Sequence, residues 1–457
     1  MQVILPSPQN LNGTIKAIPS KSDAHRKLIA AALADRPSQI LLNTSSADID
    51  ATISCLRSLG AVIEQQDDAY LVTPTRRGAL DAAPYIKKPA NHPLLDCQES
   101  ASTLRLLLPV AAAISEQTYF SGTGRLPERP LEDLLQVLTA NGLIVDTQPV
   151  IANKAKQSSA LAIELNQQPP NSNLLKLPLT ISGQLQAGTY RLPGHISSQY
   201  ISGLLFALSL LAGKSRIELT SPLQSAGYVQ MTLQVLHQFG IEITELADGY
   251  AIPGRQRYHS PGTLDIEGDW SNAAVFLAAG ALGANITVQG LDQQSMQPDR
   301  AIIPLLQSFG ATVQKTGTAL QVLPNTLQGQ EIDMAEYPDL FPILAIVGAL
   351  ANGLTLLYNA ARLRLKESDR IAGTAALLQA LGVTVKEGSD YLKIWGQERL
   401  LGGTVNTQGD HRLVMAAALA TIRAETPITI VGAEAVVKSY PHFFDDYRLL
   451  GGICDVR

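Results

Sequence analysis

From Leu28 to Ala34 the chain reads LIAAALA without a polar break, the pattern of a helix buried on nearly every side. The same kind of stretch recurs, and it ends in the same way. An apolar helix end runs into a glycine, and an apolar or β-branched strand start follows. The copies are LRSLGAVI from 56, LTANGLIV from 138, LHQFGIEI from 236, LQSFGATV from 306, LQALGVTV from 378 and YRLLGGIC from 447. Glycine just past a helix accepts the left-handed backbone that closes it. Six such corners, at Gly60, Gly142, Gly240, Gly310, Gly382 and Gly451, predict a repeated α/β unit. Three fall in each half of the chain, so the expected organisation is two domains of three units. The stretch PGRQRYHSPGT at 253–263 is read as the polar connection between them.

The opposite ends of the predicted helices are polar. SKSDAHR (20–26), ESASTLR (99–105), HISSQY (195–200), EYPDLF (336–341), KESDR (366–370) and GDHR (409–412) each precede or begin an apolar run. Taken singly, Ser100, Ser368 and Asp410 are read as N-caps, which satisfy free helix N–H groups. Capping does not account for Lys21, Arg26, Arg105, Arg370 and Arg412. A cation in the first turns opposes the helix dipole, at a cost of a few tenths to about 1 kcal/mol. Repeated in this chain, that arrangement points to an anionic ligand at the helix starts.

Composition sharpens the inference. Of 457 residues, 46% are hydrophobic and only 16% charged, against about a quarter charged in an average globular protein. The net charge of −5 argues against a broad nucleic-acid surface, so the cations are local and suit a small anion. Cys55, Cys97 and Cys454 are widely separated and odd in number, without a disulfide framework or zinc spacing. The N-terminus MQVILPSPQN has no charged leader. The run LFPILAIVGALA (340–351) is too short for a bilayer. These features predict a cytoplasmic protein with no membrane segment. AGKS at 212–215 lacks the first glycine of a phosphate loop, and GTGRLP at 122–127 is not a dinucleotide fingerprint. No metal-ligand motif is present; His25 and His411 stand beside charged residues and are read equally as structural or catalytic.

Taken together, SGTGRLPERPL, SSQYISGLLFAL, RLRLKESDR, GDHRLVMA and KSYPHFF, in this order, resemble the 5-enolpyruvylshikimate-3-phosphate synthases almost end to end. The resemblance implies an α/β protein of two domains, each of three βαβαββ units, with helix N-termini facing an interdomain cleft. It places the first domain at 20–265, mainly for shikimate 3-phosphate. The second, 1–19 plus 266–457, would hold phosphoenolpyruvate and the acids. It also implies transfer of the enolpyruvyl group of phosphoenolpyruvate to the 5-hydroxyl of shikimate 3-phosphate, with release of phosphate and no cofactor or metal. Lys21, Ser22, Arg26, Ser197, Ser198, Gln199, Ser225, Tyr228, Asp339 and Lys366 would hold shikimate 3-phosphate. Lys21, Ala101, Gln199, Arg129, Arg370, Arg412 and Lys438 would hold phosphoenolpyruvate. Lys21, Asp339 and Glu367 would handle protons, Lys21 as a lysine whose pKa neighbouring cations depress. A monomer is expected, binding no partner beyond these small molecules.

The chain departs from the common family pattern in places. Pro19 and His25 replace the usual Gly and Asn, SAGY at 225–228 stands where Ser-Lys-Pro-Tyr is frequent, and Arg362 takes a position often held by Asn. Ala101 replaces a glycine of the phosphoenolpyruvate pocket and Leu106 a nearby proline, which implies weak inhibition by glyphosate. The two charge-lined halves are expected to repel until an anion bridges them. Two rival readings are a UDP-N-acetylglucosamine enolpyruvyl transferase and a non-catalytic anion-binding protein. The first is disfavoured because GTGRLPERP carries no Cys; the second because Asp339 and Glu367 are both present.

Overall fold

The computed structural model describes residues 1–74, 92–147 and 177–457. Its twelve α-helices among these residues are α1 (Lys21–Ala32), α2 (Ala47–Ser58), α3 (Ala101–Ile114), α4 (Glu132–Thr139), α5 (Ser198–Leu208), α6 (Ala226–Gln238), α7 (Trp270–Ala281), α8 (Ile302–Phe309), α9 (Phe341–Ala349), α10 (Arg370–Ala380), α11 (His411–Ala420) and α12 (Phe443–Leu449). They alternate with strands that form six four-stranded sheets of one topology. In four units the first two strands pair in parallel across a helix, in the other two the parallel partners come from distant parts of the chain, and in all six the fourth joins the second antiparallel. The third, which follows the second helix, lies outermost beside the fourth. That is a βαβαββ unit repeated six times. All six predicted corner glycines have positive φ, from 75° to 115°, and each follows the second helix of its unit.

The first helix of every unit is the buried one. α9, FPILAIVGA, has no exposed or half-exposed residue, and α7 has only Ser271. Such all-round apolar helices are stable only when covered on all sides, and here they pack against one another beneath their sheets. One hydrophobic core gathers residues from Ala24 to Leu264; a second gathers Val3 to Ile15 with Trp270 to Leu450. Within the first, α5 lies so close to α3 that a β-carbon at Gly203 would sit 2.5 Å from the Arg105 carbonyl oxygen.

The chain passes between the cores twice. Strand Asn12–Lys16 pairs with Asn285–Gln289 in the second half, and strand Thr263–Asp265 pairs with Ser38–Leu41 in the first. The two crossing segments bridge at Pro19 and Gly268, where Ser20 N donates to Glu267 O at 2.7 Å and Asp269 N to Ile18 O at 2.8 Å. The crossing is therefore not the 253–263 stretch expected from its composition. That stretch belongs to the first half, because Tyr258 is fully buried there and its hydroxyl donates to Phe206 O at 2.8 Å. No helix among the described residues is long and apolar enough to cross a membrane.

Candidate active site

The helix starts of both halves converge on a cavity of about 280 Å³. From the first half its wall takes Lys21, Ser22 and Arg26 of α1, Ala101, Ser102 and Arg105 of α3, Arg129, Ser197, Ser198 and Gln199 at α5, and Ser225 and Tyr228 at α6. The second half supplies Asp339 from the 3₁₀ turn before α9, Arg362, Lys366 and Glu367 from the turn before α10, Arg370 of α10 and His411 of α11. Burial along the first helices explains the placement. α1, α3 and α5 are buried almost throughout, except in the first turn, where Lys21, Ser22, Ser102 and Gln199 open onto the cavity. Several helix N-termini thus point their free N–H groups and partial positive charge at one space.

Of the residues expected at the site, all but two line this wall. Arg412 stands behind it, with Nη2 on Asp339 Oδ2 at 3.2 Å and Nη1 donating to Ser271 O at 2.9 Å. Lys438 is held by Glu99 of the other half at 3.1 Å. Ser100 and Asp410 cap their helices as expected, and Ser20 and Ser197 also accept a backbone N–H of their own helix. Ser368 does not cap α10. Asp369 takes that place, and Ser368 Oγ donates to Asp410 Oδ2 at 3.0 Å.

The cations are paired, not left waiting. Arg370 is 1% exposed and donates to three carboxylates, Asp339 at 2.7 Å, Glu367 at 2.8 Å and Asp410 at 2.8 Å. Arg129 meets Glu367 across the cleft at 3.2 Å. Gln199 holds Ser102 Oγ at 2.9 Å and accepts from Arg105 at 3.2 Å, while Arg105 lies over the Tyr200 ring. Carboxylates of each half face cations of the other, Glu367 at Arg129 and Glu99 at Lys438. Among the described residues, Lys366 is the lysine on the wall with neither an ion pair nor a hydrogen bond.

Charge states follow from these neighbours. Burial works to raise the Asp339 carboxyl, but Arg412, Arg370 and Lys366 outweigh it and hold it well below the usual carboxylate range. Glu367 is likewise held low against burial by Arg129, Arg370 and Lys438. The expectation of a depressed lysine is met at another residue. Burial would lower Lys21, yet Asp48 at 2.8 Å and the more distant Glu367 leave it raised. Lys366 is the depressed one, brought down to about 7 by burial, with Arg370 and Arg362 adding to the effect against Asp339. His411 is kept neutral by burial and the surrounding cations. Asp48 was missed at the sequence level, since an acid at the start of α2 reads as an ordinary dipole partner. Among the described residues no group of three or more His, Cys, Asp and Glu is placed to hold a metal ion.

A cation-rich cavity between two three-unit halves defines an enolpyruvyl transferase fold, and solved structures carry the same architecture. An EPSP synthase from Acinetobacter baumannii superposes with a TM-score of 0.77 at 24% identity, covering 100% of both chains. An enolpyruvyl transferase from Streptomyces tendae gives 0.75 at 18%, covering 99% of this chain and 98% of that one. The chain belongs to the EPSP synthase family (3-phosphoshikimate 1-carboxyvinyltransferase), whose family model matches residues 5–165 and 170–447. Relatives carrying the name 3-phosphoshikimate 1-carboxyvinyltransferase include those of Clostridium kluyveri, 39% identical over 100% of this chain and 99% of the relative, and of Clostridium acetobutylicum, 38% identical over 99% and 98%.

Proposed function

We propose that this cavity transfers the enolpyruvyl group of phosphoenolpyruvate to the 5-hydroxyl of shikimate 3-phosphate and releases phosphate, the step of the shikimate pathway that leads toward chorismate and the aromatic amino acids. The observation that carries the reading is the wall itself: seven Lys and Arg side chains against three carboxylates, at the starts of helices from both halves. Two polyanions fit that balance. Shikimate 3-phosphate is assigned to Ser22, Arg26, Ser197, Ser198, Gln199, Ser225 and Tyr228, with Lys366 and Asp339 from the other half. Phosphoenolpyruvate is assigned to Lys21, Ala101, Arg129, Gln199 and Arg370, with Arg412 and Lys438 behind. On this assignment the first domain, 20–265, carries most of the shikimate 3-phosphate residues, and both it and the second, 1–19 plus 266–457, contribute to phosphoenolpyruvate.

The chemistry requires the 5-hydroxyl to lose a proton as its oxygen bonds to the enol carbon, while the methylene carbon gains one. Asp339, ionised in the free protein, takes the hydroxyl proton. Glu367 serves the methylene carbon. Its pKa is held down by Arg129 and Arg370, and an anion arriving on those guanidiniums cancels their field, which lets the carboxyl be protonated. Lys21, kept charged by Asp48, acts as an acid and as a clamp on both substrates. The tetrahedral adduct then breaks its bond to phosphate, and the methyl carbon returns its proton. Positioning by the arginine set is worth roughly 7–11 kcal/mol of the barrier in reactions of this kind. All of these groups come from one chain, which supports a functional monomer, and the three free cysteines suit a cytoplasmic setting.

Ala101 is 4% exposed and presents its methyl group to the cavity. Overfilling a packed site by a methyl group costs about 1–3 kcal/mol. We propose that this cost falls on glyphosate, the longer ligand, more than on phosphoenolpyruvate.

The role assignments are tested by kinetics. Lys21→Met and Glu367→Gln are expected to lower kcat chiefly, and Arg129→Ala to raise the KM for phosphoenolpyruvate roughly 10- to 150-fold, the worth of a charged hydrogen bond. Near-normal turnover in Glu367→Gln would overturn its assignment.

A further inference from the structure

The loops that lead into α5 and α6, both in the first half, are tied to each other, and the tie fixes a further side chain, His195, at the cavity. Gly194 N donates to Ser221 Oγ at 3.0 Å, and Gln224 N donates to Gly194 O at 3.1 Å. The loops approach so closely that a β-carbon at Gly194 would lie 2.7 Å from the Ser221 carbonyl oxygen and 2.9 Å from Leu223 Cα. Next along the chain, His195 Nδ1 meets Ser221 Oγ at 2.7 Å, and His195 lines the cavity with Ser197, Ser198 and Ser225. Those three serines stand at the starts of α5 and α6. They offer hydroxyls and helix N–H groups, the usual partners of a phosphate, but no charged side chain. Ala226, where the family pattern often has a lysine, brings none either. The Lys and Arg that the first half gives to the wall, Lys21, Arg26, Arg105 and Arg129, belong to α1, α3 and the turn before α4.

We propose that His195 is a further ligand of the phosphate group of shikimate 3-phosphate, which lies against Ser197, Ser198 and Ser225, and that Ser221 positions the imidazole for it. This rests on the function proposed above. Ser221 Oγ already accepts the Gly194 N–H, so its own proton can go to Nδ1, which leaves the ring proton on Nε2. Nε2 is then a donor whether the ring is neutral or charged, and an ionised phosphate oxygen is the partner that gains most from it. His195 is exposed, so the contact tells on affinity and not on folding. Every residue that builds it belongs to the first half, so it does not depend on how the two halves are placed.

The test uses the two ring positions. Gln places an N–H where Nε2 stands, whereas Asn stops at the position of Nδ1. Binding of shikimate 3-phosphate to the full chain, read by calorimetry, is expected to weaken roughly 10-fold in His195→Ala and His195→Asn, the low end for a charged hydrogen bond, and to stay within about threefold of wild type in His195→Gln. In turnover assays the change should fall on the KM for shikimate 3-phosphate and leave kcat and the KM for phosphoenolpyruvate within about twofold. Ser221→Ala should weaken the same binding and add nothing in the His195→Ala background, because the two side chains act as one unit. Unchanged affinity in His195→Ala would overturn the proposal. So would equal losses in the Gln and Ala variants, which would make the bulk of the ring the cause, or equal losses for both substrates. Wild-type protein that neither binds nor turns over shikimate 3-phosphate would remove the function and this contact together, and that failure is told apart because it precedes any substitution.

Discussion

Lys21 and Lys366 face one cavity, and their neighbours pull them apart. Asp48 fastens the first as an ammonium; the second has arginines nearby and a pKa brought to about 7. A phosphate placed beside Lys366 should restore its proton, because the charged form then gains a partner. Binding of shikimate 3-phosphate at pH 8 is therefore expected to take up about one proton, read by calorimetry in buffers of different ionisation heats. The uptake should fade toward pH 6, where Lys366 is already charged, and vanish in Lys366→Met. Equal uptake in that variant would remove Lys366 from the account. The motif positions of both lysines were legible in the sequence. Their charge states were not, because Asp48 comes from another helix and nothing in its local sequence marks it as the partner of Lys21. Ala101 was legible by itself, as a methyl group where the pattern has none. Ala101→Gly is expected to tighten glyphosate roughly 10-fold or more and to change the phosphoenolpyruvate constant much less; constants that move together would refute the steric argument.

Among the elements, helix starts decide the site and their caps decide its rigidity. Six glycine corners and the polar triplets were readable because caps are local, set by a residue and its own helix. What crosses between helices was hidden. Asp410 caps α11 and also accepts from Arg370 and Ser368, whereas Asp369 caps α10 and pairs with the half-exposed Arg364. The pair with Arg370 is buried, so Asp410→Ala is expected to cost about 3–5 kcal/mol. Asp369→Ala should cost only about 1 kcal/mol, the usual worth of a cap. Chemical unfolding of both variants checks the contrast, and equal losses would show that the buried pair adds nothing. The 253–263 stretch was misread for a related reason. Its composition is that of a linker, but burial of Tyr258 ties it to the first core.

At the scale of the whole molecule, two cores are joined by two crossing segments at Pro19 and Gly268, and a β-carbon on Gly268 would meet the Gly290 carbonyl oxygen at 2.2 Å. The split of the strands between halves was not legible, since Asn12–Lys16 and Thr263–Asp265 pair far along the chain. Asp269 caps α7 and accepts the Lys21 backbone N–H at 3.2 Å, which ties the crossing directly to the start of α1 and hence to the cavity. The cavity exists only where the halves meet, and its balance of charge is what selects two anionic substrates. Phosphate release from phosphoenolpyruvate, measured with shikimate 3-phosphate and separately with UDP-N-acetylglucosamine as acceptor, tests this claim most directly. The account predicts turnover with shikimate 3-phosphate and none above background with the nucleotide sugar; turnover with the nucleotide sugar alone, or with neither, would contradict it.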